Sequence, residues 1–471
     1  MQKWYNMSSD TRILNSTESI CPECLQRIPA RNVKRGDSVY LVKECPEHGP
    51  FSTVIWRGEP DYEAWGYAGN TRGPGGFVPD RQRGCPFDCG LCPAHRNQPC
   101  AVLLEITSRC NLGCPVCFAD ADKAGAGEDP SLSAISGWYR RLLSSGGPVN
   151  IQLSGGEPTM RDDLPDIIAL GRQLGFDFIQ INTNGLRLGQ EPRYAEKLKA
   201  AGLSCAFLQF DGTDDRMYES IRGAALLRHK AAAVKHCADN GIGVVLACTL
   251  VPGVNTAGIG DLIRYALQWV PHVRAVHFQP MGYIGRYPGA PRDEDRFTIP
   301  EIIRALETQS QGLVRVEHFV PPAGENSHCS FHGNFIILPD GSLKPWVSDL
   351  PSYHRAKTGP AGNGTLHARN FMARQWSAPQ LAPPPLEPPD DAAAPYSVEN
   401  FLSRLNTHTL SISGMAFQDA WNLDLERLRD CHISVISRDS RIIPFCAYNL
   451  TSRSGGTLYR ECSPLSQAFQ A

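Results

Sequence analysis

The sequence predicts an α/β fold, a partial and open (β/α)6 barrel with a cysteine-rich lobe before it and a further cysteine-bearing region after it. Short apolar segments alternate with helical patterns about six times between residues 101 and 285. Continuous apolar strands of this kind are typical of parallel βαβ units that are buried on both faces. Since the units are fewer than a closed barrel has, the barrel is expected to be open.

The elements of the predicted barrel follow one another regularly. Strands are expected at 101–106, 149–153, 176–181, 205–210, 243–251 and 273–280. Helices are expected at 133–143, 164–174, 192–201, 226–240 and 258–269. Gly202 suits the end of the third helix. Further along, Asp340 and Gly341 predict the turn of a β-hairpin.

Composition excludes several classes of protein. The 471 residues carry 46 Lys and Arg against 48 Asp and Glu, so no basic excess points to nucleic acid. The first residues lack the apolar stretch of a signal peptide, and no apolar run reaches the roughly 18 residues that span a bilayer. We therefore expect a cytoplasmic protein whose only contact with a membrane would be peripheral.

The chain has 17 cysteines, most of them in tight groups. Without a secretory signal, grouped cysteines indicate metal binding rather than disulfides. Cys205, Cys237 and Cys248 differ, because they lie in apolar strand or helix patterns. These three are expected to be inert core thiols.

Cys110, Cys114 and Cys117 follow the first barrel strand directly, with the spacing Cys-x-x-x-Cys-x-x-Cys. Three thiolates at this spacing can hold a [4Fe–4S] cluster and leave its fourth iron open. An open iron suits the amino and carboxylate groups of S-adenosylmethionine (SAM), with Phe118 beside the adenine. Gly113 is expected to permit the tight turn. A structural zinc knuckle with a fourth ligand from elsewhere is the alternative.

Polar motifs close the next two barrel strands, at the edge where α/β folds place their active sites. The motif after the second strand consists of Gly155, Gly156, Glu157 and Pro158. Its backbone groups and carboxylate are expected to hold the SAM ammonium group. The motif after the third strand consists of Asn182, Thr183 and Asn184. These side chains suit ribose hydroxyls.

In this order, the cysteine loop and the two polar motifs resemble those of the radical SAM superfamily. The resemblance implies that a reduced cluster cleaves SAM to a 5′-deoxyadenosyl radical. Asp211 and Asn255 end later strands and are interpreted as further SAM-side residues, with a turn residue or helix cap as an equal alternative. Gln279 ends the last strand and faces the substrate or caps the barrel.

Cys21, Cys24, Cys45 and His48 lie in two Cys-Pro-Glu turns before the barrel. Two ligands on each turn make a tetrahedral site for one zinc or a mononuclear iron. We expect a structural role for this knuckle, with electron transfer as the alternative. His48 could instead form a hydrogen bond within its own turn.

Cys85, Cys89 and Cys92 repeat the spacing of the cysteine loop just before the barrel. Pro93 follows the last of them, as in bacterial ferredoxins. We expect an auxiliary [4Fe–4S] cluster here rather than structural zinc. Cys100 or a remote cysteine could complete it.

The remaining cysteines are isolated in the sequence. Cys329, Cys431 and Cys446 are candidate ligands of a further cluster, since the latter two have polar neighbours. A buried and inert thiol is the alternative for each. Cys462 is too near the C-terminus to assign.

A closer resemblance is carried by CPEC…CPEHG, GCPFDCGLCP, CNLGCPVCFAD, SGGEPT and IIPFCAYN. Together they are similar to the tetraether lipid synthase family and the related pterin- or folate-linked radical SAM methylases. The resemblance covers residues 21 to about 450 except the proline-rich segment. It implies one or two auxiliary clusters, one zinc or mononuclear iron, and a reductant such as flavodoxin or ferredoxin.

The resemblance does not by itself choose between coupling and methylation, and the activity that we expect is carbon–carbon bond formation on lipid alkyl chains. Methylation of a lipid, a pterin-linked compound or another small molecule is the alternative. A multi-zinc scaffold is the non-enzymatic alternative, and it leaves the polar motifs at the strand ends unexplained.

These interpretations divide the chain into six regions. They are a metal knuckle at 1–60, an auxiliary-cluster segment at 61–100, the barrel at 101–300, a C-terminal extension at 301–375, a proline-rich linker at 376–398 and a second auxiliary-cluster segment at 399–471.

Overall fold

The computed structural model describes residues 11–66, 82–90, 92–121, 128–322, 324–346, 363–379 and 404–460. The strands are β1 (Thr11–Ile20), β2 (Arg27–Arg35), β3 (Ser38–Cys45), β4 (Gly49–Arg57), β5 (Ala101–Thr107), β6 (Asn150–Gly155), β7 (Ile179–Thr183), β8 (Cys205–Gln209), β9 (Gly243–Leu250), β10 (Val273–Pro280), β11 (Ser330–Ile337), β12 (Leu343–Pro345), β13 (Thr409–Met415), β14 (Ile433–Ile436) and β15 (Ile442–Pro444). The helices are α1 (Tyr62–Trp65), α2 (Leu132–Ser144), α3 (Leu164–Gln173), α4 (Leu186–Gln190), α5 (Pro192–Ala200), α6 (Asp215–Arg222), α7 (Leu227–Asp239), α8 (Ile259–Gln268), α9 (Ile299–Gln309), α10 (Asn363–Trp376), α11 (Leu425–Arg429) and α12 (Phe445–Asn449).

The amino-terminal lobe is an antiparallel sheet in the order β1-β2-β3-β4. It packs against the C-terminal part of the chain through buried polar contacts. Lys43 donates from Nζ to the Ala420 carbonyl at 2.7 Å, and Asn32 donates to the Asp424 carboxylate at 3.2 Å. Because both donors are buried, these contacts fix the lobe on the larger domain.

The barrel strands β5 to β10 lie side by side in sequence order, and every pair is parallel. The helices between them bury one apolar face against the sheet, with side chains such as Val102, Ile151, Ile181 and Leu246 in the shared core. The predicted α/β class and partial barrel are confirmed. Cys237 and Cys248 lie in this core, as expected for inert thiols.

The C-terminal region joins the barrel sheet at both edges, which the sequence did not indicate. Strand β13 pairs in parallel with β10, and β14 pairs in parallel with β5. The antiparallel strands β11, β12 and β15 lie outside them. The region placed after the barrel thus supplies part of its wall.

Two local expectations concern turns and linkers. The hairpin predicted at Asp340 and Gly341 joins β11 to β12, and Gly341 has a φ of 82°. Most of the proline-rich linker lies outside the described residues, as does Cys462.

Helix α10 lies at the amino ends of the barrel strands. Gln375 and Arg274, at the start of β10, exchange hydrogen bonds through Arg274 Nε and Gln375 Nε2. Met372 and Trp376 pack against Phe178 and Val245. The helix therefore covers the end of the barrel opposite to the cysteine loop.

None of the described helices is both long enough and apolar enough to cross a membrane.

Candidate active site

The three cysteines of the loop after β5 line one cavity at the carboxyl ends of the barrel strands. Its volume is about 410 Å³, and Cys110, Cys114 and Cys117 all form part of its wall. The thiols pack beside Leu112 and Tyr218. Burial raises the pKa of Cys110 to about 11 and that of Cys114 in the same direction. Positive charge is needed here to hold these sulfurs as thiolates.

Arg286 fixes the cysteine loop from the far side of the barrel. Its guanidinium donates to the carbonyl groups of Cys114 and Ala121, at 3.1 and 2.7 Å. Its backbone pairs with that of Cys117 in both directions. Sequence reasoning missed this residue, because nothing in its neighbourhood signals a contact across about 170 residues of chain.

The glycines after β6 allow two backbones to approach closely. A Cβ on Gly155 would lie 2.2 Å from the Thr107 carbonyl oxygen, and one on Gly156 would lie 2.2 Å from that of Arg109. Gly156 donates its N–H to Thr107 at 2.8 Å, and Glu157 donates to Arg109 at 2.8 Å. The turn after β6 therefore holds the start of the cysteine loop through these two backbone hydrogen bonds. Gly113 has no such role, since an added Cβ would meet nothing within 4 Å and its φ is not positive.

The Glu157 carboxylate joins the second and third strand ends. It accepts hydrogen bonds from Thr159 N and Oγ1, Thr183 Oγ1 and Asn184 N, at 2.6 to 3.0 Å. Glu157 is 1% exposed but still touches the cavity. These four donors satisfy its oxygens, so its direct contact with a SAM ammonium group stays a prediction.

The third strand end places polar groups in the same cavity. Asn182, Thr183 and Asn184 all line it. Asn184 donates from Nδ2 to Asn111 Oδ1 of the cysteine loop at 2.7 Å. The sequence-predicted loop, turn and strand end, together with Phe118, are thus brought to one place.

Three predicted SAM-side residues lie off the cavity wall. They are Pro158, Asp211 and Asn255. Asp211 forms a buried ion pair with Arg222, at 2.7 Å between Oδ2 and Nε. The Asn255 amide donates to the carbonyl groups of Asp211 and Thr249 and accepts from Val251 N–H. In both cases the alternative of a turn or cap residue fits these contacts, because the polar atoms are already used by the protein.

Arg222, the ion-pair partner of Asp211, lines the cavity and was not predicted from the sequence. It lines the cavity, donates to the Val116 carbonyl at 3.2 Å and to Thr249 Oγ1 at 2.9 Å, and stands beside the Cys114 thiol. The sequence signal was an arginine at the end of α6, eleven residues after Asp211. A buried carboxylate normally has a cationic partner within reach.

Gln279 faces the cavity rather than merely capping the barrel.

The knuckle residues of the amino-terminal lobe meet at one point. The ligand atoms of Cys21, Cys24, Cys45 and His48 all lie within 4.8 Å of one another. Cys24 Sγ is 3.9 Å from Cys45 Sγ, and Cys21 Sγ is 3.7 Å from His48 Nδ1. Burial opposes ionisation of Cys45, but the hydrogen bond with His48 lowers its pKa to about 7. A set of three sulfurs and one nitrogen with these separations fits a tetrahedral zinc ion.

Comparisons with known proteins agree with these sites. The HMPTM N-terminal zinc ribbon domain matches residues 13–57, and the radical SAM superfamily matches residues 104–266. The 7,8-dihydro-6-hydroxymethylpterin dimethyltransferase of Methanocaldococcus jannaschii is 34% identical over 93% of this chain and 94% of its own length. The chain belongs to the radical SAM superfamily, in the branch of the pterin-linked methylases. It is therefore a radical SAM enzyme of the transferase type.

Other relatives share smaller parts of the chain. A probable GTP 3′,8-cyclase of Archaeoglobus fulgidus is 27% identical over 51% of this chain and 83% of its own length. The crystal structure of Streptococcus suis SuiB bound to S-adenosylmethionine has a TM-score of 0.37, with 14% identity over 46% of this chain and 48% of that one.

The radical SAM fold implies a [4Fe–4S] cluster and SAM, and the donor set fits both. Cys110, Cys114 and Cys117 offer three sulfur ligands on one side of the cavity, the chemistry that iron–sulfur clusters require. Among the described residues, the cysteines of the apolar cluster around this loop are Cys110, Cys114 and Cys117. The polar strand ends beside them suit a charged, hydroxyl-bearing ligand.

The second cysteine triplet of this radical SAM enzyme also converges. Cys85, Cys89 and Cys92 line a small pocket together with His95. The thiols interact with one another, and this raises the pKa of Cys89 well above its usual value. Cys100 is not part of this pocket; it lines the large cavity beside His432.

The isolated C-terminal cysteines lie near one another in the fold. Burial and then the neighbouring Cys446 and Cys329 raise the pKa of Cys431. Arg427 donates to Cys329 Sγ at 3.5 Å, and Gln418 N–H donates to Cys446 Sγ at 3.2 Å. The ligation predicted for these three and for the Cys85 triplet stays a prediction.

Proposed function

We propose that this radical SAM enzyme transfers methyl groups to a carbon of a pterin-type small molecule. The observation that carries the proposal is the similarity to a pterin dimethyltransferase along nearly the whole of both chains, the amino-terminal metal lobe included. It favours the methylation that the sequence offered as the alternative. The joining of lipid alkyl chains, the first expectation, has no support among the relatives described above.

When bound, the cluster and SAM supply a radical that can abstract hydrogen from an unactivated carbon. The protein's part is to orient the ligands and to keep water away. The apolar side chains Val116, Phe118, Met281, Ile284 and Phe445 line the cavity beside the cysteine loop. Their packing keeps competing hydrogen donors from the reacting carbon.

The residues around the loop would hold SAM through its polar ends. The Gly155-Gly156 backbone and the Asn182 side chain face the cavity next to the three thiols. Arg222 lies beside the Cys114 thiol and fixes the loop through its ion pair with Asp211 and its hydrogen bond to the Val116 carbonyl. Thr183 and Glu157 fix the two strand ends relative to each other.

The remaining thiols are proposed to hold auxiliary clusters. Cys85, Cys89 and Cys92 would bind one, and Cys329, Cys431 and Cys446 would contribute to another. Their mutual approach and burial support this assignment. A one-electron reductant such as flavodoxin or ferredoxin and a reducing, cytoplasmic setting belong to the same proposal, since thiolate-rich sites need both.

The test is an anaerobic assay of the cluster-loaded enzyme with a reductant, 7,8-dihydro-6-hydroxymethylpterin, excess SAM and a reduced folate that carries a one-carbon unit. A second one-carbon donor is included because the SAM that yields the radical keeps its own methyl group in methionine. Mass spectrometry should find pterin products heavier by one and two methylene units, formed with SAM consumption. The control is the Cys114→Ala variant, in which these products should be absent.

The same enzyme should be offered a lipid extract in a parallel reaction. Coupled lipid chains that have lost two hydrogens, together with unchanged pterin, would contradict the proposal and restore the first expectation.

A further inference from the structure

A row of neutral polar side chains lies on the cavity wall away from the cysteine loop. It consists of His277 on β10, Ser411 and Ser413 on β13, and His332 and Asn334 on β11, and we call it the polar seam. His277, Ser413 and His332 are direct partners across the three strands. Ser411 and Asn334 are partners one row away. All five residues face the same cavity as the three cluster cysteines.

Some hydrogen-bonding capacity of the polar seam is open to the cavity. His277 Nδ1 lies 2.9 Å from Ser413 Oγ, and Ser411 donates to Asn334 Oδ1 at 2.6 Å. Among the described residues, the His332 ring and the Asn334 amide nitrogen have no hydrogen-bond partner. His332 and Asn334 are only partly buried, and polar groups on such a wall are costly to dry unless a ligand pairs with them.

The polar seam carries no charge at neutral pH. Burial lowers the pKa of His277 to about 4 and lowers that of His332, so both imidazoles are neutral. A neutral imidazole offers one donor and one acceptor. The nearby Glu325 carboxylate is already paired with the His432 ring and the Ser330 hydroxyl. The wall therefore suits a ligand with both donors and acceptors and no net charge.

Aromatic rings border the polar seam on one side. The rings of Phe207 and Trp376 lie 5.6 and 6.3 Å from that of His277, between centroids, and 5.8 Å from each other. Such flat apolar faces beside hydrogen-bonding groups favour a planar ligand.

The polar seam also stands apart from the part of the chain that the superfamily model matches. That match ends at residue 266, before β10, β11 and β13 begin. The predicted SAM-side residues lie within the match, at or just after the carboxyl ends of strands β5 to β9. The wall formed by the matched part of the chain thus carries the residues for the chemistry common to the superfamily. The wall formed by the polar seam lies outside the match, so its residues can vary with the substrate.

We propose that the polar seam is the substrate-recognition surface, and that it selects a planar, uncharged ring with hydrogen-bond donors and acceptors over an alkyl chain. The inference rests on the proposed function, because it names the wall that would read a pterin-type ring. An alkyl chain placed against this wall would leave the imidazole and amide groups without partners.

The test is equilibrium dialysis of the cluster-loaded enzyme with SAM and without reductant. The probes are 7,8-dihydro-6-hydroxymethylpterin and palmitate. His332→Leu and Asn334→Leu should each weaken pterin binding about tenfold or more, since each replaces a hydrogen-bonding group on the cavity wall with an apolar side chain. His332→Gln, which keeps a donor and an acceptor, should retain most of the affinity.

The matched control is His236→Leu, because this histidine lies on α7 outside the cavity and bonds the Leu188 carbonyl. It should change pterin affinity less than about twofold. Unchanged pterin binding in both leucine variants, or equal losses in His332→Gln and His332→Leu, would overturn the inference. Methylation of the pterin by the wild-type enzyme would still stand in that event, so the two failures are distinguishable. Wild-type enzyme that retains palmitate but no pterin would overturn both.

Discussion

Ionisable side chains are buried around the cysteine loop, and each is matched to particular partners. Arg222 pairs with Asp211, and Lys230 donates to the Asn184 carbonyl and to Gln209 Oε1. Glu157 accepts from the next strand end. These contacts link the carboxyl ends of β6, β7 and β8 without using any group of the cofactors. Preorganisation of the site is therefore a property of the chain itself.

The Asp211–Arg222 pair should be far costlier to break than to remove. Arg222→Met leaves the buried Asp211 carboxylate unpaired and should lower the free energy of unfolding by about 3–5 kcal/mol. The double variant Asp211→Asn with Arg222→Met should recover a large part of that loss. Chemical denaturation followed by circular dichroism measures both. Equal losses of unfolding free energy in the single and the double variant would contradict this, because they would show that the unpaired Asp211 carboxylate is not the source of the cost.

Lys230 should make stability depend on pH. Burial lowers its pKa from 10.5 to about 8. Between these values the unfolded chain binds more protons than the folded one, so stability rises with pH through this window and the cost is fully present below it. Compared with Lys230→Met, the wild type should gain about 3 kcal/mol over this range. Denaturation at several pH values checks this, and a constant difference would contradict it.

At the scale of elements, the site depends on how closely the turn after β6 meets the loop after β5. Gly156→Ala places a Cβ against the Arg109 carbonyl, so one of the two backbones must move. We expect the purified variant to lose most of the iron bound at the cysteine loop. Gly113→Ala, in the loop itself, meets no neighbour and should keep its iron. Iron analysis and visible absorption of the two variants decide this, and equal iron contents would contradict it.

The amino-terminal lobe should need its metal for local structure. Cys24→Ala removes one of four ligands and should lose one zinc per chain, as measured by metal analysis. The hydrophobic contacts of Ile20 and Leu25 reach Cys85 and Cys89, so the adjacent pocket should loosen as well. Cluster content at Cys110, Cys114 and Cys117 should persist, because the barrel core holds that loop. Retained zinc in Cys24→Ala would place the metal elsewhere.

For the whole molecule, local sequence patterns predicted only those strand pairings that join elements consecutive in the sequence. The alternation from 101 to 280 specified the order of β5 to β10, because consecutive βαβ units lie side by side. Strands β13 and β14 were not predicted, since their partners in the barrel, β10 and β5, are more than a hundred residues away in the sequence. The apolar pattern within β13 and β14 does not indicate which edge of the barrel sheet each strand pairs with.

The site divides in the same way. The cysteine loop and the strand-end motifs were predictable because the residues of each motif lie close together in the sequence. Arg222, Arg286 and the polar seam were not, since each gains its role only when distant strands meet. Asn255 shows that a polar residue at a strand end can bond the backbone of neighbouring strand ends, the alternative role given for it, so its contact with SAM stays a prediction.

The most direct test of SAM cleavage at the cysteine loop is the yield of 5′-deoxyadenosine from SAM in the reduced, cluster-loaded enzyme. The wild type should form it. Cys114→Ala should form none, because the cluster loses one of its three ligands. Cys237→Ala, which removes a core thiol on α7 that does not line the cavity, should behave as the wild type does. Undiminished 5′-deoxyadenosine from Cys114→Ala would contradict the assignment of the loop as the centre that cleaves SAM.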